Sequence, residues 1–232
     1  MPANLADFDP FDLMAIEYRR LEQFFEALGP EDWSKPTRLE GWTRRELLCH
    51  LAGSEVYHHA GLDDDVEGLL ARARAAGFPG MERFNEWMIG SRTGATNAQV
   101  LAEWHESGPE TIRRLRERAP DGEVATVVGL YPVVLQAFHL AFHAALHAVD
   151  LSVPIDPEEM PGRAQWRASF SRFAVPEAGS RALIRPRDGL NHVEMDALEG
   201  DLTDDELALA VAGQLHEAHP LQKELRDALH IF

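Results

Sequence analysis

Along the first two thirds of the chain, apolar residues recur at helical spacing, and the strict alternation of a half-buried strand is hard to find. Phe11, Met14, Ile16, Tyr18, Leu21, Phe24, Phe25 and Leu28 mark the apolar face of a helix predicted from about residue 8 to residue 28, where Gly29-Pro30 stops it. The segment "EDWSKPTRLEGW" supplies turn chemistry and two tryptophans. Thr43 and Glu46 in "TRRE" read as a capping box, so a second helix starts near Arg44 and runs to about Ala60, with Leu47, Leu48 and Leu51 facing the core. Residues 61–95 are less regular: an acidic "DDD", a short helical "VEGLLARARAA" and a glycine-spaced stretch in which a pocket wall fits. A third helix is predicted from Asn97 to about Arg118, kinked or split at Gly108-Pro109. A fourth spans about Tyr131 to Leu151 and is closed by Pro154 and Pro157 in "VPIDPEEMPG", which reads as an interdomain linker.

The pattern changes beyond Gly162. "SRALIRP" and "LNHVEMDAL" flank Arg187-Asp188-Gly189, a hairpin signal, and Thr203 with Glu206 form a second capping box ahead of "LALAVAGQL". The tail is helical in pattern. The expected fold is therefore mainly α: a four-helix bundle over residues 1–155, followed by a small α+β domain over 156–232.

Composition narrows the partners. With 39 acidic against 22 basic residues the net charge is −17, which repels a phosphate backbone, so nucleic acid is excluded as an expectation. The opening residues lack the basic and apolar regions of a signal peptide, and no run of about 18 apolar residues occurs, so neither export nor a membrane is expected and the cytoplasm is the predicted compartment. The single cysteine, Cys49, cannot build a disulfide framework and leaves any metal to histidines and carboxylates. No nucleophile elbow, phosphate-binding glycine loop, dinucleotide fingerprint or H-E-x-x-H is found.

The chemistry concentrates in "FHLAFHAALHAVDL", residues 138–151. Residues four apart on a helix differ by about 40° around the axis and about 6 Å along it, so His143 and His147 can aim at one point. His139 is about 80° and about 12 Å from His147, too far to share a small ion. A third ligand has to come from another helix, and His50, beside the apolar stripe of the second helix, is best placed. Spacing alone leaves the readings open: a metal centre, or a chance HxxxH on a solvated helix face together with a buried His50 satisfied by ordinary partners. His58 and His59, being adjacent, diverge and are expected at the rim or surface.

"DWSKPTRLEGWTRRELLCHLAGSE", residues 32–55, resembles the signature of the DinB-like superfamily, in particular its mycothiol-dependent maleylpyruvate isomerase branch. "HAVDL", His147 to Leu151, resembles that branch's second signature, and together the two cover about residues 8–152. The resemblance implies a DinB-like four-helix bundle with a divalent metal held by His50, His143 and His147. Zinc is expected, with nickel, iron or cobalt also suited to three imidazoles. It implies a low-molecular-weight thiol such as mycothiol as cofactor, and a small electrophilic substrate that is either alkylated by the thiol or isomerised about a double bond. At the position four before the last histidine the branch often has a carboxylate, and this chain has His143, as in three-histidine DinB-like thiol transferases; that puts the substrate in doubt. Arg92 is a candidate for pairing with a carboxylate of substrate or thiol. The alternative implied by the same superfamily is thiol-independent chemistry on metal-activated water or oxygen, or a non-catalytic, stress-related metal-binding protein. A homodimer through exposed apolar helix faces is a further expectation.

Overall fold

The structure is a computed structural model that describes residues 1–231, the side chains of Met81 and Glu82 excepted. Its elements in chain order are α1 (Pro10–Glu26), α2 (Arg44–Leu62), α3 (Val66–Ala75), α4 (Met81–Gly90), α5 (Asn97–Arg118), β1 (Glu123–Thr126), β2 (Gly129–Pro132), α6 (Val133–Asp150), α7 (Met160–Glu177), β3 (Leu183–Arg187), β4 (Leu190–Met195), β5 (Leu198–Leu202), α8 (Asp204–Val211) and α9 (Lys223–Leu229). The chain divides into two compact units: Pro10–Val153, and Met1–Asp9 together with everything from Pro154 on.

In the first unit α1 lies along α6 and α2 along α5, and these four helices form the bundle. Leu21, Phe25, Leu47, Leu51, Val100 and Trp104 fill its centre with Ala144 and Ala148 of α6. The small α6 residues let neighbouring side chains close over that helix, and Phe25 stacks on Trp33 with ring centroids 5.8 Å apart. α2 begins where the sequence says it should: Thr43 accepts from the Glu46 N–H, and the Glu46 carboxylate accepts from the Thr43 N–H at 2.7 Å. Thr96 and Gln99 close a box of the same kind at the start of α5. α6 is long and apolar enough to cross a membrane by length and composition, with a mean hydropathy of 1.2, but 67% of it is buried inside the protein, as in the core helix of a bundle.

The structure departs from the sequence expectation at α4, α5, the β1–β2 hairpin and α7. α5 runs unbroken through Gly108-Pro109. Gly108 is buried against Tyr18, where an added Cβ would meet the ring at 2.8 Å, while Pro109, which has no N–H to give the His105 carbonyl, sits on the exposed side with His105. The irregular stretch contains the well-formed α4, and the residues before α6 form the β1–β2 hairpin with Val124 opposite Tyr131.

In the second unit β3, β4 and β5 form an antiparallel meander, and Asp188 (φ 51°) and Gly189 (φ 80°) take the left-handed conformations of the expected two-residue turn. Thr203 caps α8 with Glu206. α7 carries buried polar residues, including a fully buried Arg167 that donates to Asp205 at 3.0 Å. The N-terminal residues belong here: Leu5 is buried and the Asn4 side chain donates to the Ser169 carbonyl at 2.7 Å.

Candidate metal centre

His50 reaches the bundle interior from the second turn of α2, and His143 and His147 meet it from successive turns of α6. One ring nitrogen from each of the three lies within 4.8 Å of the others. The Nε2 atoms converge: His50 to His143 is 3.2 Å and His143 to His147 is 2.9 Å. His50 and His147 are buried and His143 is half-buried. The Trp42 ring stands edge-on to His50 at 5.2 Å, fixing the imidazole plane from the apolar side.

The opposite nitrogens are held from outside the cluster. The Asn85 Oδ1 of α4 accepts from His50 Nδ1 at 3.1 Å, and the Asp150 carboxylate accepts from His147 Nδ1 at 2.9 Å. An acceptor at Nδ1 keeps the proton there and leaves Nε2 as a lone pair in the neutral ring. Protonation does not relieve the crowding at neutral pH. Burial, reinforced by the charge of His147, pushes His50 down to about 3 against the pull of Asn85, and burial with His147 and His50 holds His143 well below its ordinary value. His143 has one ring proton to offer and two Nε2 lone pairs facing it, so at least one of the close N···N contacts has no proton between its atoms. A cation at the point of convergence turns all three lone pairs into favourable contacts. The donor set fits a divalent ion, one of the readings that spacing left open.

The remaining histidines have other company. His139 Nε2 pairs with the Tyr131 hydroxyl at 3.2 Å. His58, expected at the rim, is half-buried, with Nδ1 3.4 Å from Glu55. Glu55 is the focus of a second buried polar cluster, where its carboxylate also accepts from the Tyr18 hydroxyl at 2.8 Å and from the Thr111 hydroxyl. Burial alone raises the Glu55 carboxyl, but the His58 charge and the bonds from His58, Thr111 and Tyr18 outweigh it and the group sits below its usual value. Burial, then Glu55, puts the Tyr18 hydroxyl well above its own.

Arg92 is 7% exposed. Its guanidinium donates to the Met88 carbonyl at 2.8 Å and engages the Glu103 carboxylate of α5, so a ligand carboxylate has to displace Glu103 to reach it. Of the side chains around the imidazoles, Asp150 had a sequence signal, being three residues after His147 on the same helix. Asn85 had none, because its partner is 35 residues away on another element.

Residues 14–152 match the sequence model of the family described as Mycothiol maleylpyruvate isomerase N-terminal domain. Two solved structures are similar over 88% of this chain and 88% of theirs, each with a TM-score of 0.62 and 16% identity: the mycothiol-dependent maleylpyruvate isomerase and a histidine-to-alanine mutant of it. At that identity the likeness shows a shared fold. No curated protein matches the chain.

Proposed function

The chain belongs to the mycothiol maleylpyruvate isomerase N-terminal domain family, and from that premise we propose that it is an enzyme using a low-molecular-weight thiol, of the mycothiol kind, at a divalent metal centre formed by His50, His143 and His147. The reaction is either addition of the thiolate to a conjugated double bond, rotation and elimination, which returns the thiol, or displacement on an electrophilic carbon, in which a C–S bond forms as the carbon's leaving group departs with its bonding pair and the thiol's sulfur stays attached. The observation that carries the proposal is the convergence of three Nε2 atoms with Nδ1 of His50 and His147 held by acceptors.

When bound, the ion supplies a Lewis acid with an open position that lowers the pKa of a thiol placed there. His50 and His143, kept neutral by burial, present lone pairs without competition from protons near pH 7. Asp150 and Asn85 keep two of the rings turned so that Nε2, and not Nδ1, faces the centre. The chain offers no thiol of its own for this chemistry: Cys49 is its one cysteine, it is buried, and burial pushes its thiol up. The nucleophile therefore arrives as a small molecule.

The test is to purify the protein without chelator, measure bound metal, and follow conjugation of mycothiol to monobromobimane together with isomerisation of maleylpyruvate. The expected result is about one divalent ion per chain and turnover that requires both metal and thiol. A metal-loaded protein that turns over neither substrate removes the thiol reading and leaves water or oxygen chemistry on the same histidines. A metal-free protein whose His143→Ala variant behaves like the parent removes the centre itself.

A further inference from the structure

The metal-facing form of His50 depends on a helix outside the four-helix bundle. α4 packs across α2 in register with two contacts one helical turn apart: Asn85 Oδ1 meets His50 Nδ1 at 3.1 Å, and Met88 lies over Gly53. A Cβ at residue 53 would stand 2.5 Å from the Met88 Cβ, closer than side chains approach, so only glycine lets α4 come this near. The far end of α4 is fastened on two sides. Arg92 donates to the Met88 carbonyl and pairs with Glu103 of α5, and Arg45 of α2 donates to the carbonyls of Arg92 at 3.0 Å and Ala95 at 2.6 Å. Asn85 is thus carried by a helix whose distance from α2 is set by Gly53 and whose end is fixed by two arginines.

We propose that Asn85 is a positioning residue for the centre: its side-chain oxygen fixes His50 as the Nδ1–H tautomer, so that His50 presents Nε2 to the ion. Asp150 acts on His147 in the same sense, but from the ligand's own helix, where i and i+3 are neighbours whatever the rest of the protein does. Asn85 is different because it couples the centre to the seating of α4. An amide oxygen accepts and carries no charge, so it directs the proton without making the ring more basic, as a carboxylate would. Loss of an outer partner of this type lowers metal affinity by about 10–100-fold. Gly53→Ala, which pushes α4 away without touching either residue, should lower it in the same direction.

This inference rests on the metal reading for its consequence, and its test separates the two. In metal-free protein labelled with ¹⁵N at histidine, the ring shifts of His50 report its tautomer directly. The expected result is a single Nδ1–H form in the parent, a mixture of tautomers in Asn85→Leu, and the parent form in Asn85→Asp, which keeps the acceptor. Competition with a chromophoric chelator for Zn²⁺ should then show a loss of about 10–100-fold for Asn85→Leu and recovery in Asn85→Asp to within about threefold of the parent. Asn85→Ala repeats both measurements should leucine prove too large for the fold. An Asn85→Leu or Asn85→Ala protein that keeps the His50 tautomer and binds Zn²⁺ within twofold of the parent overturns the proposal. A parent that binds no Zn²⁺, yet whose His50 tautomer changes with Asn85, overturns the metal centre and leaves the positioning role standing.

Discussion

The bundle contains two buried polar clusters of opposite character. Around Glu55 one carboxylate accepts from two hydroxyls and has a histidine nitrogen 3.4 Å away. Around His50, His143 and His147 the outer nitrogens of two rings are satisfied while the inner ones face one another with too few protons. Both are interior, and both depress the pKa of a buried group, so neither burial nor titration separates them. What separates them is the balance of donors against acceptors. A cluster whose carboxylate is met by donors holds helices together, and one that leaves lone pairs converging is suited to a guest.

The difference can be broken at four points. The largest effect is expected at the guest: His147→Ala should lower metal affinity by more than the roughly 100-fold that loss of an outer partner causes, measured by chelator competition, with little cost to the fold. Full metal retention in that variant erases the distinction. Next, Glu55→Leu strands the Tyr18 and Thr111 hydroxyls and His58, and should cost about 3 kcal/mol of stability in urea unfolding while metal affinity stays within about threefold. Per pH unit, a smaller effect comes from acid. Unfolded histidines take protons near 6.5, whereas folded His50 resists down to about 3 and His143 also lies well below its usual value. The unfolded state then binds more protons in that window, so metal-free protein loses stability as pH falls below 6.5, at up to about 1.4 kcal/mol per pH unit for each ring kept neutral. Glu55, whose folded pKa is lowered, adds to the slope only as pH falls below about 4.5, which lets urea titrations at pH 7, 5.5 and 4 tell the clusters apart. The smallest effect belongs to the frame both share: Thr43→Ala removes the cap of α2 and should cost about 1 kcal/mol.

How much of this was legible in the chain follows the range of the signal. The capping boxes at Thr43 and Thr203, the Asp188-Gly189 turn and the pairing of His143 with His147 each involve residues within a few positions of one another, so spacing alone reveals them. His50 was reachable because a second stripe of helical periodicity pointed it inward. α7 stayed hidden because it buries Arg163, Arg167, Ser169 and Ser171 alongside its apolar residues, which blurs the pattern that marks a helix. α4 was hidden by Gly77, Gly80 and Gly90, which punctuate it at both ends and read as irregular chain. With α4 unrecognised, Asn85 had no place from which to reach His50. The Glu55 cluster was equally out of reach, since its members come from α1, α2 and α5 and carry no common spacing.

Glycine inside a helix costs about 0.5–1 kcal/mol relative to alanine, and Gly53 stands inside α2 one turn from His50. The cavity it leaves is filled by Met88, so residues 53 and 88 share a single volume. In a set of relatives aligned side by side, the two positions should covary in size: a larger residue at 53 is expected only where 88 has become smaller, and chains that enlarge both should have lost the ligand at position 50.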